Sequence, residues 1–392
     1  MINKNLFTNT SDYECIITLA LEGNELARAT VDTDVEPLSS KIYELPLFRY
    51  KTPWTDEAPW KAVQSGEYVV TVSFVLREDT CWAEKGHELA FGQGIYQIDD
   101  GAKEISEVCS FEITDGNYNI GVRGMHFEAL FDKGGRGLVS YVYAGREMIR
   151  AIPKLNFWRA PTDNDCGNQM PYRYAQWKTA SLYQRMQEPI IIKNDTDVTI
   201  KYTYSLPTTL ESECSVTYKV TGDGTINTTL EYEPPKGITE MPEFSMLFKL
   251  DADFENLTWY GLGPADTYCD RERGGKLGIY HKKVSENLAE YLVPQECGNH
   301  THVRWASVTD NKGRGIQFSG NDLSINALPY TPHELENAMH VYELPPVYST
   351  VVRVALMQMG VGGDDSWGAR THDEYLLDVT KKLVLSFDFK GI

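Results

Sequence analysis

ECSVTYKVTGDGTINTTLEYEP, residues 213–234, alternates polar with β-branched, aromatic or aliphatic side chains on both sides of Gly222-Asp223-Gly224. That period of two suits a pleated strand with one buried face, and a Gly-Asp-Gly centre supplies the backbone freedom a tight reversal needs. The stretch predicts a β-hairpin. The same texture extends in both directions, through FEALFDKGGRGLVSYVYAG (127–145) with its turn at Asp132–Gly137, DVTIKYTYSL (197–206), FSMLFKLD (244–251), VVRVALM (351–357) and KKLVLSFDF (381–389). Nearer the N-terminus, Cys15–Leu21 and YVVTVSFVL (68–76) read as strands at sandwich-like spacing. The chain is therefore expected to be all-β in two domains. A small β-sandwich covers 1–100, a charged linker 101–112, and a large double-sheet domain 113–392.

Helices are expected in only two places. Pro171–Met186 (PYRYAQWKTASLYQRM) sets Tyr174, Trp177 and Leu182 on roughly one face. Thr331-Pro332-His333-Glu334 has the N-cap, first-turn proline and reciprocal acidic partner of a capping box. Strands and helices do not alternate as a catalytic (β/α)₈ barrel requires.

Composition narrows the function. Lys and Arg number 37 against 56 Asp and Glu, a net charge of −19, which opposes a nucleic-acid or anionic-membrane partner. No stretch approaches the roughly 18 apolar residues of a membrane helix. The seven cysteines are scattered, odd in number and never in a CxxC pair, so free thiols in a reducing, cytoplasmic compartment are expected and a zinc site is not. Cys166 and Cys297, beside glycines, are read as unremarkable small residues and not as nucleophiles.

Four segments combine Gly, Asp/Glu and aromatic residues more densely than plain strands and turns require: LNFWRAPTDNDCG (155–167), WYGLGPADTYCDR (259–271), PQECGNHTHVRW (294–305) and MGVGGDDSWG (359–368). Carboxylates and amides that bond vicinal hydroxyls, with a flat ring to cover an apolar C–H patch, suit a neutral sugar. His300 and His302 alternate in a strand-like segment and are expected on one face.

These four segments, in this order, resemble the C-terminal domain of glycoside hydrolase family 2 β-galactosidases, and TCWAEKGHELAFGQ (80–93) resembles the immunoglobulin-like sandwich before it. The resemblance implies an immunoglobulin-like sandwich followed by a galactose-mutarotase-like supersandwich. It also implies a retaining β-galactosidase whose two catalytic glutamates, with magnesium and sodium ligands, lie on a barrel domain that this chain lacks. Catalytic and metal-binding residues are thus expected to be absent here, and so is any cofactor. The partners implied are a β-galactoside or galactose, the barrel-containing portion of the same enzyme, and further copies through an exposed sandwich edge.

One active-site residue carries over: Trp367, matched to the family's stacking platform. Asp364 and Asp365 are grouped with it as substrate-binding residues, expected first to shape its loop by accepting backbone N–H bonds, with direct contact to the sugar as the alternative. For Arg159, Asp163, Asn164 and Asp165, and for Glu296 and Arg304, two roles stand open, a buried domain-junction network or the lining of a cleft. Met1 runs almost directly into NKNLFTNTSDYE, which matches mid-sandwich sequence, so the chain reads as a fragment of a longer single-chain enzyme. The alternatives are a stand-alone carbohydrate-binding module and an aldose 1-epimerase.

Overall fold

A computed structural model of the chain describes residues 1–44, 64–99, 109–134, 137–365 and 367–392. It divides into two compact units, Met1–Ile105 with Leu277–Ile279, and Ser106–Lys276 with Tyr280–Ile392.

The first unit holds four antiparallel strands, β1 (Tyr13–Leu21), β2 (Asn24–Val31), β3 (Gly66–Leu76) and β4 (Glu88–Ile98), in the order β2-β1-β3-β4. Glu22 and Gly23 both have positive φ, 49° and 76°, which lets a two-residue turn reverse the chain between β1 and β2. Cys15 and Ile17 are fully buried, and Leu19, Val31, Val70, Val72 and Phe74 pack against them. Of the expected linker at 101–112, residues 101–108 lie outside the described residues, and Phe111–Glu112 already belong to a strand.

The second unit begins with a five-stranded antiparallel sheet, β5 (Phe111–Asp115), β6 (Asn119–Gly124), β7 (Phe127–Asp132), β8 (Gly137–Tyr143) and β9 (Arg146–Glu147). A thirteen-stranded sheet follows, formed by β10 (Ala151–Asn156), β11 (Arg185–Met186), β12 (Ile190–Lys193), β13 (Asp197–Leu206), β14 (Ser212–Thr221), β15 (Ile226–Tyr232), β16 (Glu243–Asp251), β17 (Asn256–Gly263), β18 (Lys276–Lys283), β19 (Asn299–Thr309), β20 (Gly315–Leu328), β21 (Ser349–Gln358) and β22 (Leu383–Gly391). The expected hairpin is β14–β15, in register from Cys214↔Tyr232 to Val220↔Ile226. The last strand, β22, lies inside the sheet between β15 and β20.

Alternation carries the packing. Along β13 to β15 every second side chain is buried, and Phe248, Phe318, Phe387 and Phe389 meet in one aromatic cluster, the Phe248 and Phe318 rings 5.0 Å apart. The five-stranded sheet packs onto the large one. Tyr141 of β8 donates its hydroxyl hydrogen to the Gly224 carbonyl at 2.8 Å and accepts from the Gly391 N–H at 2.9 Å. The fold is all-β.

The helices depart partly from expectation. Pro171–Met186 is not one helix: α2 (Met170–Arg173) and α3 (Ala175–Leu182) break at Tyr174, and Arg185–Met186 pair with β13 as strand β11. Burial decides this. Tyr174 and Trp177 are inside the core, and the Trp177 indole donates to the Glu240 carbonyl at 2.8 Å, whereas Leu182, expected on their face, is 43% exposed. A further short helix, α1 (Asp163–Gly167), lies in a segment read as loop, started by a capping box in which Thr162 and Asp165 exchange bonds of 3.1 and 3.0 Å. The capping box at Thr331 and Glu334 forms as read, opening α4 (Pro332–Glu336).

Candidate functional site

Three of the four dense segments brace one loop, residues 360–368, and the fourth joins them through Gln295. The brace starts at Arg159, which follows β10 and is fully buried. Its guanidinium grips Asp165 through contacts of 3.0–3.2 Å and donates to the carbonyls of Met359 and Gly360, the latter at 2.9 Å. A fork-shaped cation that binds both a carboxylate and the first carbonyls of a loop fixes that loop's exit from β21.

Asp270 holds the next turn, its Oδ2 accepting from the Gly362 N–H at 2.7 Å. A Cβ on Gly360 would lie 2.5 Å from Thr371 Oγ1 and 2.6 Å from Asp270 Oδ2, so a side chain there would break the arrangement. Asp365 Oδ1 accepts from the N–H groups of Trp367 (2.9 Å) and Ala369 (3.0 Å), the loop-shaping role expected of it. Asp364 does something else. Its carboxylate pairs with His372 Nε2 at 2.8 Å, and that bond raises the His372 pKa.

The loop closes on the segment where it began. Gly167, the last residue of α1, lies backbone to backbone against Gly368, whose φ is +119°. Bracing at both ends leaves Trp367 in solvent, 89% exposed. A loop anchored through Gly360, Gly362, Trp367 and Ala369 that presents a bare indole is the geometry of a platform for an apolar surface.

At the foot of the loop is a recess of about 190 Å³ to which all four segments contribute, among them Asp163, Asn164, Asp266, Arg271, Gln295 and Val361. Gln295 exchanges bonds with Asp163, accepting from its N–H at 3.1 Å and donating to its Oδ2 at 3.2 Å.

The sequence-derived residues thus separate. Asp163 and Asn164 line the recess, while Arg159 and Asp165 form a buried ion pair outside its lining. Glu296 also reaches the recess wall, but its carboxylate is committed to Arg353 at 2.6 and 2.8 Å. Arg304 donates to the His302 carbonyl at 2.6 Å, its guanidinium 5.8 Å from the Tyr260 ring.

Arg353 bridges two buried carboxylates, Glu243 and Glu296. One cation between two buried anions leaves a net negative charge unless one carboxyl holds a proton. Burial foremost, with the Glu296 charge adding, raises the Glu243 pKa to about 7. Ser245 Oγ donates to Glu243 Oε1 at 2.5 Å when that carboxyl is ionised and, with its own hydrogen turned to the Asn156 carbonyl at 3.1 Å, can accept a hydrogen bond from the protonated carboxyl.

The histidines do not share a face. His302 takes φ +53°, and the β19–β20 register shifts on both sides of Val303. His300 turns inward onto the Trp259 ring, 3.9 Å between centroids, while His302 is held outside by Asp322 (2.7 Å) and Glu272 (3.2 Å). Burial drives the His300 pKa down to about 3, and the two carboxylates lift that of His302 to about 10. Neither suits proton exchange near neutrality, as an epimerase acid–base pair would require. All seven cysteines are free, and burial pushes Cys297 up to about 12, far from a nucleophile's range.

Asp270, His372, Glu243 and Arg353 escaped the sequence reading. Asp270 sits inside a quoted segment and could have been found there. The other three carry no local pattern.

The profile of the family described as beta galactosidase small chain matches residues 123–390, and that of β-galactosidase domain 4 matches residues 1–96. The chain belongs to the β-galactosidase small-chain family. Within that family it is similar to the β-galactosidase small subunit of Latilactobacillus sakei, 32% identical over 70% of this chain and 95% of the relative. It is also 40% identical over its whole length to the β-galactosidase of Halalkalibacterium halodurans and 37% identical to that of Priestia megaterium. It spans only 38% and 37% of those two relatives. Among solved structures, the galactose 1-epimerase of Lactobacillus acidophilus covers 72% of the chain at 10% identity and a TM-score of 0.35, too distant to weigh here. The braced loop and Trp367 lie within the small-chain match.

Proposed function

We propose that this chain is the all-β C-terminal portion of a retaining β-galactosidase and completes its galactoside site by presenting Trp367. The observation that carries the proposal is the pairing of an 89% exposed indole with a loop anchored by Arg159, Asp270 and Asp365. The indole lies against the apolar C–H face of the sugar, a contact worth about 0.5–1.5 kcal/mol beyond the area it buries. Retention needs two carboxylates roughly 5–5.5 Å apart across the scissile bond. In this reading that pair, and the magnesium and sodium ions, belong to a barrel that packs against this chain. The sandwich at 1–100 and the larger domain at 113–392 act as separate folding units, and the free thiols support a reducing compartment.

The test is turnover of o-nitrophenyl β-D-galactoside. The chain alone should be inactive, and activity should return when the barrel-containing portion is added. Turnover by the purified chain alone overturns the proposal.

A further inference from the structure

A second concavity, of about 250 Å³, lies over residues 299–302 of β19, 322–324 of β20 and 356–358 of β21, and no residue of the 360–368 loop lines it. Its floor is Gln358, 3% exposed. The Gln358 amide nitrogen donates to Glu296 Oε1 (3.2 Å) and Asn299 Oδ1 (3.1 Å), which fixes the orientation of the amide. Its oxygen, Oε1, then has no partner among the described residues. A buried amide oxygen without a donor is costly, and its cost falls when a ligand supplies one.

The donors around this floor are already used. His302 gives one nitrogen to Asp322 and the other to Glu272, and stays a cation because its pKa is raised to about 10. The Tyr268 hydroxyl goes to Glu296, the Asn299 amide to the Thr267 carbonyl, and the Thr301 hydroxyl to Thr267 Oγ1. What remains is a set of acceptors: Gln358 Oε1 and the second oxygens of Glu272 and Asp322. Against these two carboxylates stand the His302 imidazolium and the Arg304 guanidinium, which donates to the His302 carbonyl and whose charge also acts on Asp322, so the rim carries no net charge and favours a neutral ligand over an ion of either sign. The two carboxylates occupy opposite nitrogens of one ring, so a single ammonium nitrogen does not bridge their free oxygens. Leu323, Leu356 and Met357 supply apolar wall.

We propose that this recess binds one neutral, polyhydroxylated molecule of monosaccharide size, its hydroxyls donating to Gln358, Glu272 and Asp322 and its C–H face lying on Leu323 and Leu356. The volume is below the range that holds drug-sized ligands, which suits one sugar ring. The site stands apart from the Trp367 reading and does not depend on it.

The experiment is a methyl-NMR titration of the full chain, labelled at Leu and Met, with galactose and glucose, and with choline and gluconate as charged comparisons. Saturable shifts at Leu323, Leu356 and Met357 are expected with the neutral sugars, undiminished by Trp367→Ala. Asp322→Asn and Glu272→Gln should each weaken binding about tenfold, since each exchanges a charge-assisted acceptor for a neutral one. Asparagine tolerates the positive φ of position 322, so that variant keeps the fold. The proposal is overturned if no sugar shifts these methyls up to molar concentration, if choline does so in their place, if the two rim variants bind as tightly as the parent, or if Trp367→Ala abolishes the shifts. The last outcome would leave the Trp367 reading standing and remove only this one.

Discussion

Gly167 and Gly368 meet backbone to backbone: a Cβ built on Gly368 would lie 2.4 Å from the Gly167 carbonyl carbon, and one on Gly167 2.9 Å from the Gly368 Cα. Two glycines some 200 residues apart in sequence thus close the loop that carries Trp367, and Gly368 also needs its left-handed φ of +119°.

Gly368→Ala should therefore disturb the loop without unfolding the domain. The strain and the collision together cost roughly 1–3 kcal/mol at that site. Trp367 side-chain resonances should broaden or shift, while the melting temperature of the sheet stays close to the parent's. An unchanged indole spectrum would show that the loop does not depend on this contact.

Asp165→Asn removes the charge that Arg159 is built around. Breaking a fully buried ion pair by deleting one partner costs about 3–5 kcal/mol, because the other charge is left uncompensated. Urea unfolding should show a loss of that order, and a loss below 1 kcal/mol would mean that the two carbonyls suffice to hold Arg159.

Glu243 predicts a pH dependence of stability. Its folded pKa is raised to about 7 from an ordinary 4.5, so the folded state holds an extra proton between these values. The contribution of the protonated form is fully present below the unfolded value and is lost as pH rises through about 7. Unfolding free energy should fall between pH 4.5 and 7 from this group, and Glu243→Gln should flatten that part of the profile. A profile identical in parent and variant would contradict the assignment of the proton to Glu243.

His302 should remain protonated well above neutrality because Asp322 and Glu272 hold both its nitrogens. Imidazole ¹⁵N shifts at pH 8 should be those of the cation, and Asp322→Asn should bring the titration downward toward the ordinary value. Neutral-ring shifts at pH 8 would show that the clamp does not form.

Much of this was legible where the cause is local. The hairpin at 213–234, the strands around Cys15 and Tyr68 and the capping box at Thr331 each follow from neighbours within a few residues, and each forms. Trp367 stood out because MGVGGDDSWG resembles the family's segment with the stacking tryptophan, and Gly, Asp and Ser around an indole do not build a core. What the sequence could not show was set by partners far along the chain. The helix expected across Pro171–Met186 breaks because burial of Tyr174 and Trp177 fixes their directions more strongly than helix propensity does. Glu243 and Arg353 are 110 residues apart, and neither position has a pattern that announces the other. His300 and His302 part company through a backbone distortion that alternation alone does not reveal.

The most direct measurement is kcat/KM for o-nitrophenyl β-D-galactoside with this chain added to a β-galactosidase portion that lacks the matching region, such as one prepared from the Halalkalibacterium halodurans relative. The account predicts no turnover by either part alone, turnover on mixing, and a fall of about tenfold or more in kcat/KM with Trp367→Ala at unchanged affinity between the parts, in line with the loss of a stacking contact. Turnover by this chain alone, or a mixture in which Trp367→Ala works as well as the parent, would contradict it.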